Sequence, residues 1–382
     1  MSAAVATVDL APLLGVLAVG TAIALVPLAW FWRRARGAAP ALRLQAFAWF
    51  VLFLSFDLVL LGAFTRLSDS GLGCPDWPGC YGHASPIGAS GHIAAAEAAV
   101  PTGAVTTTKA WIEMLHRYAA TAIGALVAVL AGLAIRASRR SGGRIGSAWA
   151  LWTLLWICVQ GAFGALTVAW RLYPAIVSLH LLGGVGLLAL LAVQAERYAP
   201  RSLSLPVGVR AGLIAVAVLT VVQIALGAWV SSNYAVLACT DFPTCQGSWW
   251  PQMDLDEGFV VRRSLGAGSD GNLPFAALTA IHMAHRLGAF VLIAAVVALA
   301  WRLRLAGPTT RPWAFALLGL IAWQAASGLG NVLLGWPLAA ALAHTAGAGA
   351  LVVVLVVLLA RSAAPRALAA PVDAGGTAAL AS

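Results

Sequence analysis

Residues 312–360 read PWAFALLGLIAWQAASGLGNVLLGWPLAAALAHTAGAGALVVVLVVLLA, a stretch without aspartate, glutamate, lysine or arginine. A bilayer core of about 30 Å is crossed by about 20 helical residues, so this stretch is too long for one crossing and long enough for two. The tripeptide Gly335-Trp336-Pro337 offers the break between them, because proline is favoured at the start of a helix. The stretch therefore predicts two membrane-spanning helices.

Seven more apolar stretches of spanning length precede this one. They cover residues 10–32, 44–65, 110–135, 145–170, 172–195, 211–234 and 273–301. Of the 382 residues, 61% are hydrophobic and 9% are charged, whereas soluble proteins carry about 25% charged residues. We therefore predict an all-α integral membrane protein with nine transmembrane helices. The first helix is expected to be retained rather than cleaved as a signal peptide, because its arginines follow it.

The arginines predict how the chain lies in a membrane. Sixteen of the 23 basic residues are in alternate loops, which the positive-inside rule assigns to the cytoplasm. The N-terminus and the two long loops, 66–109 and 232–272, then lie outside an inner membrane, and the C-terminus lies inside. This distribution accounts for the net charge of +10 without a nucleic-acid partner. The sixteen residues are Arg33, Arg34, Arg36, Arg43, Arg136, Arg139, Arg140, Arg144, Arg197, Arg201, Arg210, Arg302, Arg304, Arg311, Arg361 and Arg366.

After its first helix, the chain repeats itself at an offset of 164 to 169 residues. A unit of four helices gives two halves with the same orientation in the membrane. The matching segments are Leu61-Gly-Ala63 with Leu226-Gly-Ala228, Cys74-Pro-Asp-Trp-Pro-Gly-Cys80 with Cys239-Thr-Asp-Phe-Pro-Thr-Cys245, Glu113-Met-Leu-His-Arg117 with His282-Met-Ala-His-Arg286, Gln160 with Gln324, Gly164 with Gly328, and His180 with His344.

The repeat predicts the domain organisation. We expect two homologous four-helix bundles at residues 44–197 and 211–361. An extra helix and cytoplasmic loop (1–43) precede them, a cytoplasmic linker (198–210) joins them, and a flexible cytoplasmic tail (362–382) follows.

Two pairs of histidines recur inside the predicted bundles, His116 with His180 and His285 with His344. Ionisable groups inside a membrane are costly and usually functional. All four lie within about two turns of the outer ends of their helices, at similar depth. Imidazoles on facing helices can hold a haem iron from both sides. A single membrane histidine could simply bond a neighbouring helix, but the recurrence of both pairs favours one haem in each bundle.

Residues near the four histidines suit a flat ligand with anionic groups. Small residues share the face of each histidine, three and four positions later, and would leave room for a macrocycle. They are Ala119, Ala120, Gly183, Gly184, Gly288, Ala289, Gly347 and Ala348. Arg66, Arg117 and Arg286 are near the outer surface, where they could pair with haem propionates or extend to lipid headgroups.

The two halves differ in ways that predict different roles. Glu113 is replaced by His282 in the second half, and Arg66 by Ser231. Glu113 shares a helix face with His116, one turn towards the outside, where it could act as a general base or guide a proton. The alternative is a carboxylate that pairs with an arginine for packing. Asp57, in the middle of the second helix, is expected to be protonated or paired, with no assigned role.

Each long outer loop contains two cysteines with five residues between them, Cys74 with Cys80 and Cys239 with Cys245. Disulfides persist in an oxidising outer compartment. The pairs could be structural disulfides, or one could be redox-active or contact substrate, and both readings stay open. The spacing disfavours zinc. Cys158, in the middle of a helix, is expected to be a small core residue.

These motifs together resemble the bacterial haem A synthase family, over about residues 44–360. The motifs are Gly71-Leu-Gly-Cys-Pro-Asp-Trp-Pro-Gly-Cys80, Glu113-Met-Leu-His-Arg117, His180, the Cys239 to Cys245 loop, Ile281-His-Met-Ala-His-Arg286 and His344. The resemblance implies oxidation of the C8 methyl of haem O, through an alcohol, to the formyl group of haem A.

The resemblance also implies a role for each half. His285 and His344 would ligate the iron of a haem b cofactor, His116 and His180 would ligate that of the substrate haem O, and Glu113 would be the essential carboxylate. Cys74 and Cys80 would match the family's first-loop pair, tied to haem transfer or to structure.

The implied partners are haem O synthase and cytochrome oxidase assembly factors. An unidentified electron donor, membrane lipid and a second copy of the chain are further expected partners. The alternative function is a dihaem b-type membrane protein that transfers electrons. A transporter or haem carrier is disfavoured, because the polar groups cluster near one face rather than at the midplane.

Overall fold

The computed structural model describes residues 9–143, 145–262 and 273–363, and within these ranges its regular structure is helical. Among the described residues, nine helices are long and apolar enough to cross a membrane, and two short α-helices lie in the two long loops. The long helices are α1 (Ala11–Arg34), α2 (Pro40–Leu67), α4 (Thr107–Arg140), α5 (Ala148–Ala169), α6 (Pro174–Tyr198), α7 (Val207–Ser232), α9 (Phe275–Ala306), α10 (Arg311–Leu333) and α11 (Leu338–Ala363); the short ones are α3 (Ser90–Ala99) and α8 (Leu255–Gly258). The predicted all-α membrane fold is confirmed.

The long apolar stretch at 312–360 divides where the sequence predicts. α10 ends at Leu333, and Gly335 and Trp336 take left-handed backbone conformations with φ of 66° and 64°. The backbone nitrogen of Trp336 donates to the carbonyl oxygen of Asn331 at 2.8 Å, which satisfies one of the free carbonyls at the end of α10. Pro337 directly precedes α11, so the break gives two crossings.

The helices pack in two groups that follow the sequence repeat. In the first group α2 packs against α4 and α6, and α5 packs between α4 and α6. In the second group α7 packs against α9 and α11, and α10 packs between α9 and α11. α1 lies against α4. The assignment of residues 44–197 and 211–361 to separate functions stays a prediction.

Polar contacts join the two groups at both ends of the molecule. At the end that carries the two disulfide loops, the Arg66 guanidinium donates to the carbonyl oxygen of Ser231 at 2.7 Å, and the hydroxyls of Ser178 and Ser232 lie 3.0 Å apart. At the other end, Arg361 pairs with the buried Glu196, with 2.8 Å between Nη2 and Oε1. Buried apolar side chains fill each group between these contacts, for example Leu126 and Leu299.

Some predictions fall outside the described residues or are wrong. Arg144, Arg366, residues 263–272 of the second long loop and residues 364–382 of the predicted tail lie outside. The membrane orientation stays a prediction. The prediction that Cys158 is a core residue is wrong, because its side chain is exposed on the surface of α5. A span that is apolar on all sides does not reveal which face is buried.

Candidate functional site

The four repeated histidines come from four different helices. His116 lies on α4 and His180 on α6, and His285 lies on α9 and His344 on α11. All four are half-buried. The rings of His285 and His344 lie edge to face, with centroids 6.4 Å apart and planes at 78°. Two metal–nitrogen bonds of about 2 Å on opposite sides of one ion leave about this separation between imidazoles. The separation of the second pair therefore fits one metal ion bound between the two imidazoles.

Each histidine ring lies against a glycine of a neighbouring helix. A β-carbon added at Gly62 would lie 3.0 Å from Cε1 of His116, and one at Gly227 would lie 3.0 Å from Cε1 of His285. The same construction at Gly164 and Gly328 gives 3.5 Å to His180 and 3.2 Å to His344. The glycines at corresponding positions of both halves therefore permit the same close approach, and all four belong to the segments that recur in the sequence.

The small residues after the histidines have a different surrounding from the one predicted. A side chain at Gly183 would collide with Gln160, one at Gly288 with Gln223, and one at Gly347 with Gln324. The space that these three glycines leave therefore holds glutamine side chains. At these three positions the space is filled by the protein and is not left open for a macrocycle, as had been expected.

The two histidine pairs differ in what their Nδ1 atoms contact. In the second half, Nδ1 of His285 lies 2.9 Å from the amide nitrogen of Gln223, and Nδ1 of His344 lies 3.1 Å from the hydroxyl of Ser327. In the first half, Nδ1 of His116 and Nδ1 of His180 are buried without a hydrogen-bond partner among the described residues. Neither Gln223 nor Ser327 was predicted from the sequence.

Glu113 lies at the outer end of α4, and its side chain is buried. Its Oε1 lies 2.5 Å from Nη2 of Arg117, one helical turn away, and its Oε2 accepts a hydrogen bond of 2.8 Å from the backbone nitrogen of Cys74. The arginine pairing considered from the sequence is therefore present. The carboxylate also holds the first outer loop above His116, while its chemical role stays a prediction.

The arginines next to the histidines bind the outer loops. Nη1 of Arg117 donates to the carbonyl oxygens of Asp76, Pro78 and Gly79. Arg286 donates in the same way to the carbonyl oxygens of Cys239, Asp241 and Thr244 at 2.9 to 3.1 Å. Most donors of both arginines are thus used by the protein, and contact with haem propionates stays a prediction.

Three other residues noted in the sequence lie away from the histidine pairs. Arg66 stacks on Tyr234, with 4.1 Å between its guanidinium carbon and the ring centroid, at the contact between the two groups of helices. His282, which replaces Glu113 in the repeat, is buried with its Nδ1 3.0 Å from the carbonyl oxygen of Ala235. Asp57 is exposed on α2 without a polar partner among the described residues, so of the two expectations only the protonated form stays a prediction.

The cysteines of each outer loop form a disulfide, Cys74 with Cys80 and Cys239 with Cys245. An aspartate that the sequence analysis did not identify organises each ring. Asp76 accepts hydrogen bonds from the backbone nitrogens of Tyr81 and Gly82. Asp241 accepts from those of Gln246 and Gly247. Both aspartates occur at the same place in the repeat, which was the available signal.

Asp241 has an additional partner in the hydroxyl of Thr244, 2.6 Å away. This hydroxyl, together with the backbone N–H of Gly247 and Gln246, lowers the pKa of Asp241 to about 2. The ionised carboxylate is therefore the form that stabilises the second loop. Because the backbone of this loop also accepts the hydrogen bonds of Arg286, the aspartate supports the outer end of α9 next to His285.

Comparison with known proteins gives consistent matches. A family model described as cytochrome oxidase assembly protein, COX15-CtaA, matches residues 45–356. The heme A synthase of Shewanella oneidensis is 37% identical over 312 residues, which cover 80% of this chain and 93% of that protein. The heme A synthase of Halalkalibacterium halodurans is 30% identical over 297 residues, which cover 75% of this chain and 86% of that protein.

Proposed function

The chain belongs to the COX15-CtaA family of cytochrome oxidase assembly proteins, and on this premise we propose that it is a haem A synthase, an oxidoreductase that acts on haem O. The names of its relatives carry this proposal, together with a match that spans both halves of the chain. They favour the synthase over an electron-transfer cytochrome. The nine apolar helices make the protein a multi-pass membrane protein.

The proposed reaction converts the C8 methyl of haem O to a formyl group through an alcohol. Replacement of two methyl hydrogens by one oxygen atom is a four-electron oxidation in two two-electron stages. Amino-acid side chains do not carry out this oxidation, so the chemistry requires a cofactor. A haem b held by His285 and His344 would supply one-electron transfer when bound.

We assign the two histidine pairs to different haems. His285 and His344 are the proposed ligands of haem b, supported by the 6.4 Å between their ring centroids. His116 and His180 are the proposed ligands of the substrate. Their Nδ1 atoms lack partners among the described residues, which suits a site that must exchange haem O for haem A.

Glu113 is the proposed carboxylate of the substrate half. Each oxidation stage releases protons, and a carboxylate one turn from His116 is suited to accept them. Arg117 stabilises the ionised form of Glu113, and the Cys74 backbone N–H fixes the orientation of the carboxylate. The residue at the same position in the second half is His282, so the carboxylate is specific to the half proposed to bind substrate.

The membrane setting suits this substrate. Haem O carries a long isoprenoid tail, which a site between transmembrane helices can leave in the lipid. The proposed orientation has the N-terminus and both disulfides outside a bacterial inner membrane and the C-terminus in the cytoplasm. The proposed partners are haem O synthase as the source of substrate, cytochrome oxidase assembly factors as the recipients of product, and a redox partner.

Extraction of haems from the purified protein tests this proposal. The protein is produced with and without haem O synthase, and its haems are identified by chromatography and mass. We expect haem b alone without the partner enzyme, and haem A or its hydroxylated precursor in addition with it. Haem b alone in both preparations would instead support an electron-transfer cytochrome.

A further inference from the structure

We propose that Gln223 and Ser327 are positioning residues that make the C-terminal histidine pair a permanent haem site, and that their absence from the first half lets the N-terminal pair release its haem. The inference deepens the proposed function and rests on its assignment of the four histidines as haem ligands. These two residues would explain why one histidine pair retains a cofactor, whereas the histidine pair at the matching positions of the repeat exchanges a substrate.

The environment of Ser327 determines the tautomer of His344. The Ser327 hydroxyl donates to the carbonyl oxygen of Trp323 at 2.7 Å, one turn back on α10. A hydroxyl has one proton, so towards His344, 3.1 Å away, its oxygen acts as the acceptor. Nδ1 of His344 is therefore the protonated nitrogen. Its Nε2 keeps a lone pair, as an iron ligand requires.

Gln223 lies beside the ring of His285, as Ser327 lies beside the ring of His344. Its amide nitrogen lies 2.9 Å from both Nδ1 and the carbonyl oxygen of His285, while its Oε1 is buried without a partner among the described residues. In this arrangement the amide nitrogen donates to Nδ1 and holds the orientation of the His285 ring. When Nε2 binds iron, Nδ1 carries the proton, and a half-turn of the amide would present the unpartnered Oε1 to it. This half-turn gives up the hydrogen bond from the amide nitrogen to the carbonyl oxygen of His285.

The first half lacks both groups because the repeat has diverged at these two positions. Leu58 occupies the position of Gln223, at the same offset that relates Gly62 to Gly227. Phe163 occupies the position of Ser327, directly before the glycine that faces the histidine in each half. Neither side chain can accept a hydrogen bond, which accounts for the unpartnered Nδ1 atoms of His116 and His180.

This difference has a direct effect on ligand strength. A hydrogen bond from Nδ1–H makes an imidazole more basic and fixes its ring, and loss of such a partner typically costs about 10- to 100-fold in metal affinity. Leu58 and Phe163 therefore leave His116 and His180 as weaker ligands, whose rings are not held by a hydrogen bond at Nδ1. A substrate site needs this property, because haem A must leave after each turnover.

Substitutions in the second half test the proposal on the full-length protein. In Ser327→Ala and Gln223→Leu we expect haem b to transfer to a haem acceptor such as apomyoglobin about 10- to 100-fold faster. Because the ligand becomes less basic, its midpoint potential should also move to more positive values. Ser327→Thr, which keeps the hydroxyl, should restore both. Unchanged transfer rate and potential in Ser327→Ala and Gln223→Leu would overturn the proposal.

The reciprocal variant tests the first half. Leu58→Gln combined with Phe163→Ser should slow the release of haem A and leave more of it bound after purification. If this variant releases haem A as fast as the parent, the account of the first half is wrong. His344→Ala distinguishes failure of the ligand assignment from failure of the positioning role. If His344→Ala still holds haem b, the ligand assignment is wrong. If His344→Ala loses haem b but Ser327→Ala releases it at the parent's rate, only the positioning role is wrong.

Discussion

Glu113 and Arg117 form a buried ion pair on α4, with 2.5 Å between Oε1 and Nη2, and together they hold the first disulfide loop above His116. The carboxylate accepts from the backbone of Cys74, and the guanidinium donates to the carbonyl oxygens on the other side of the same loop. The second half keeps the arginine and the loop but replaces the carboxylate by His282. The structural and chemical roles of Glu113 can therefore be separated.

Glu113→Gln retains an acceptor for Cys74 and removes the charge. We expect this variant to keep haem b and to form haem A at least about 10²-fold more slowly, because the proton acceptor is lost. Glu113→Ala should also lose haem A formation and keep haem b, and it should destabilise the first loop. Single-turnover formation of haem A, measured by chromatography, checks both variants. Glu97→Gln, which changes an outer-loop carboxylate away from the histidines, is the control, and an undiminished haem A yield in Glu113→Gln would remove the proposed role.

Gly227→Ala tests the close approach of α7 to His285. The added methyl group would lie 3.0 Å from Cε1 of the ring, so the ring must move. Overpacking of this kind costs about 1–3 kcal/mol, which would weaken haem b binding by about 5- to 150-fold. Gly62→Ala should have the corresponding effect on the substrate at His116. Haem content per protein, determined by absorbance, is the measurement.

Gly319→Ala on α10 provides the matched control, because no atom outside its own helix turn lies within 4 Å of the added β-carbon. It should bind haem as the parent does. Equal haem content in Gly227→Ala and Gly319→Ala would show that the close glycine contact does not position the ligand.

Asp241→Asn tests the second loop. The pKa of Asp241 is lowered from its ordinary value of 3.8 to about 2 by the Thr244 hydroxyl and the backbone N–H groups of Gly247 and Gln246. A lowered pKa means that the carboxylate stabilises the loop above about pH 4, and that this contribution is lost as the pH falls through about 2. We expect faster amide hydrogen exchange at Gln246 and Gly247 in the variant at neutral pH.

The difference between variant and parent in this exchange should shrink as the pH approaches 2 and disappear below it. Asp69→Asn, an exposed carboxylate in the first loop, should leave the second loop unchanged. Exchange at Gln246 and Gly247 that is the same in Asp241→Asn and the parent at neutral pH would contradict the assigned role.

The number of membrane helices could be predicted because hydrophobic length is a property of the linear sequence. The helix ends could not be predicted as well: α4 covers Thr107–Arg140, beyond the apolar residues 110–135, because polar residues can continue a helix past the apolar core. The short helices α3 and α8 could not be predicted, because they are too short to give a hydrophobic pattern.

The histidine pairs and the disulfides could be predicted because they recur at a fixed offset. The partners of Arg117 and Arg286 could not, because these arginines bind backbone carbonyls, which no side-chain pattern reveals. Gln223 and Ser327 could not be predicted from the positions at which the repeat is preserved. The sequence signal for them is a difference between the halves: a polar residue in the second half corresponds to Leu58 or Phe163 in the first.

The central claim is that the two histidine pairs hold different haems. The most direct test is the haem inventory, by mass, of His180→Ala and His344→Ala, each produced together with haem O synthase. We predict that His180→Ala keeps haem b and loses haem O and haem A, whereas His344→Ala loses haem b and accumulates unconverted haem O. Loss of the same haem from both variants, or loss of haem b from His180→Ala alone, would contradict the account.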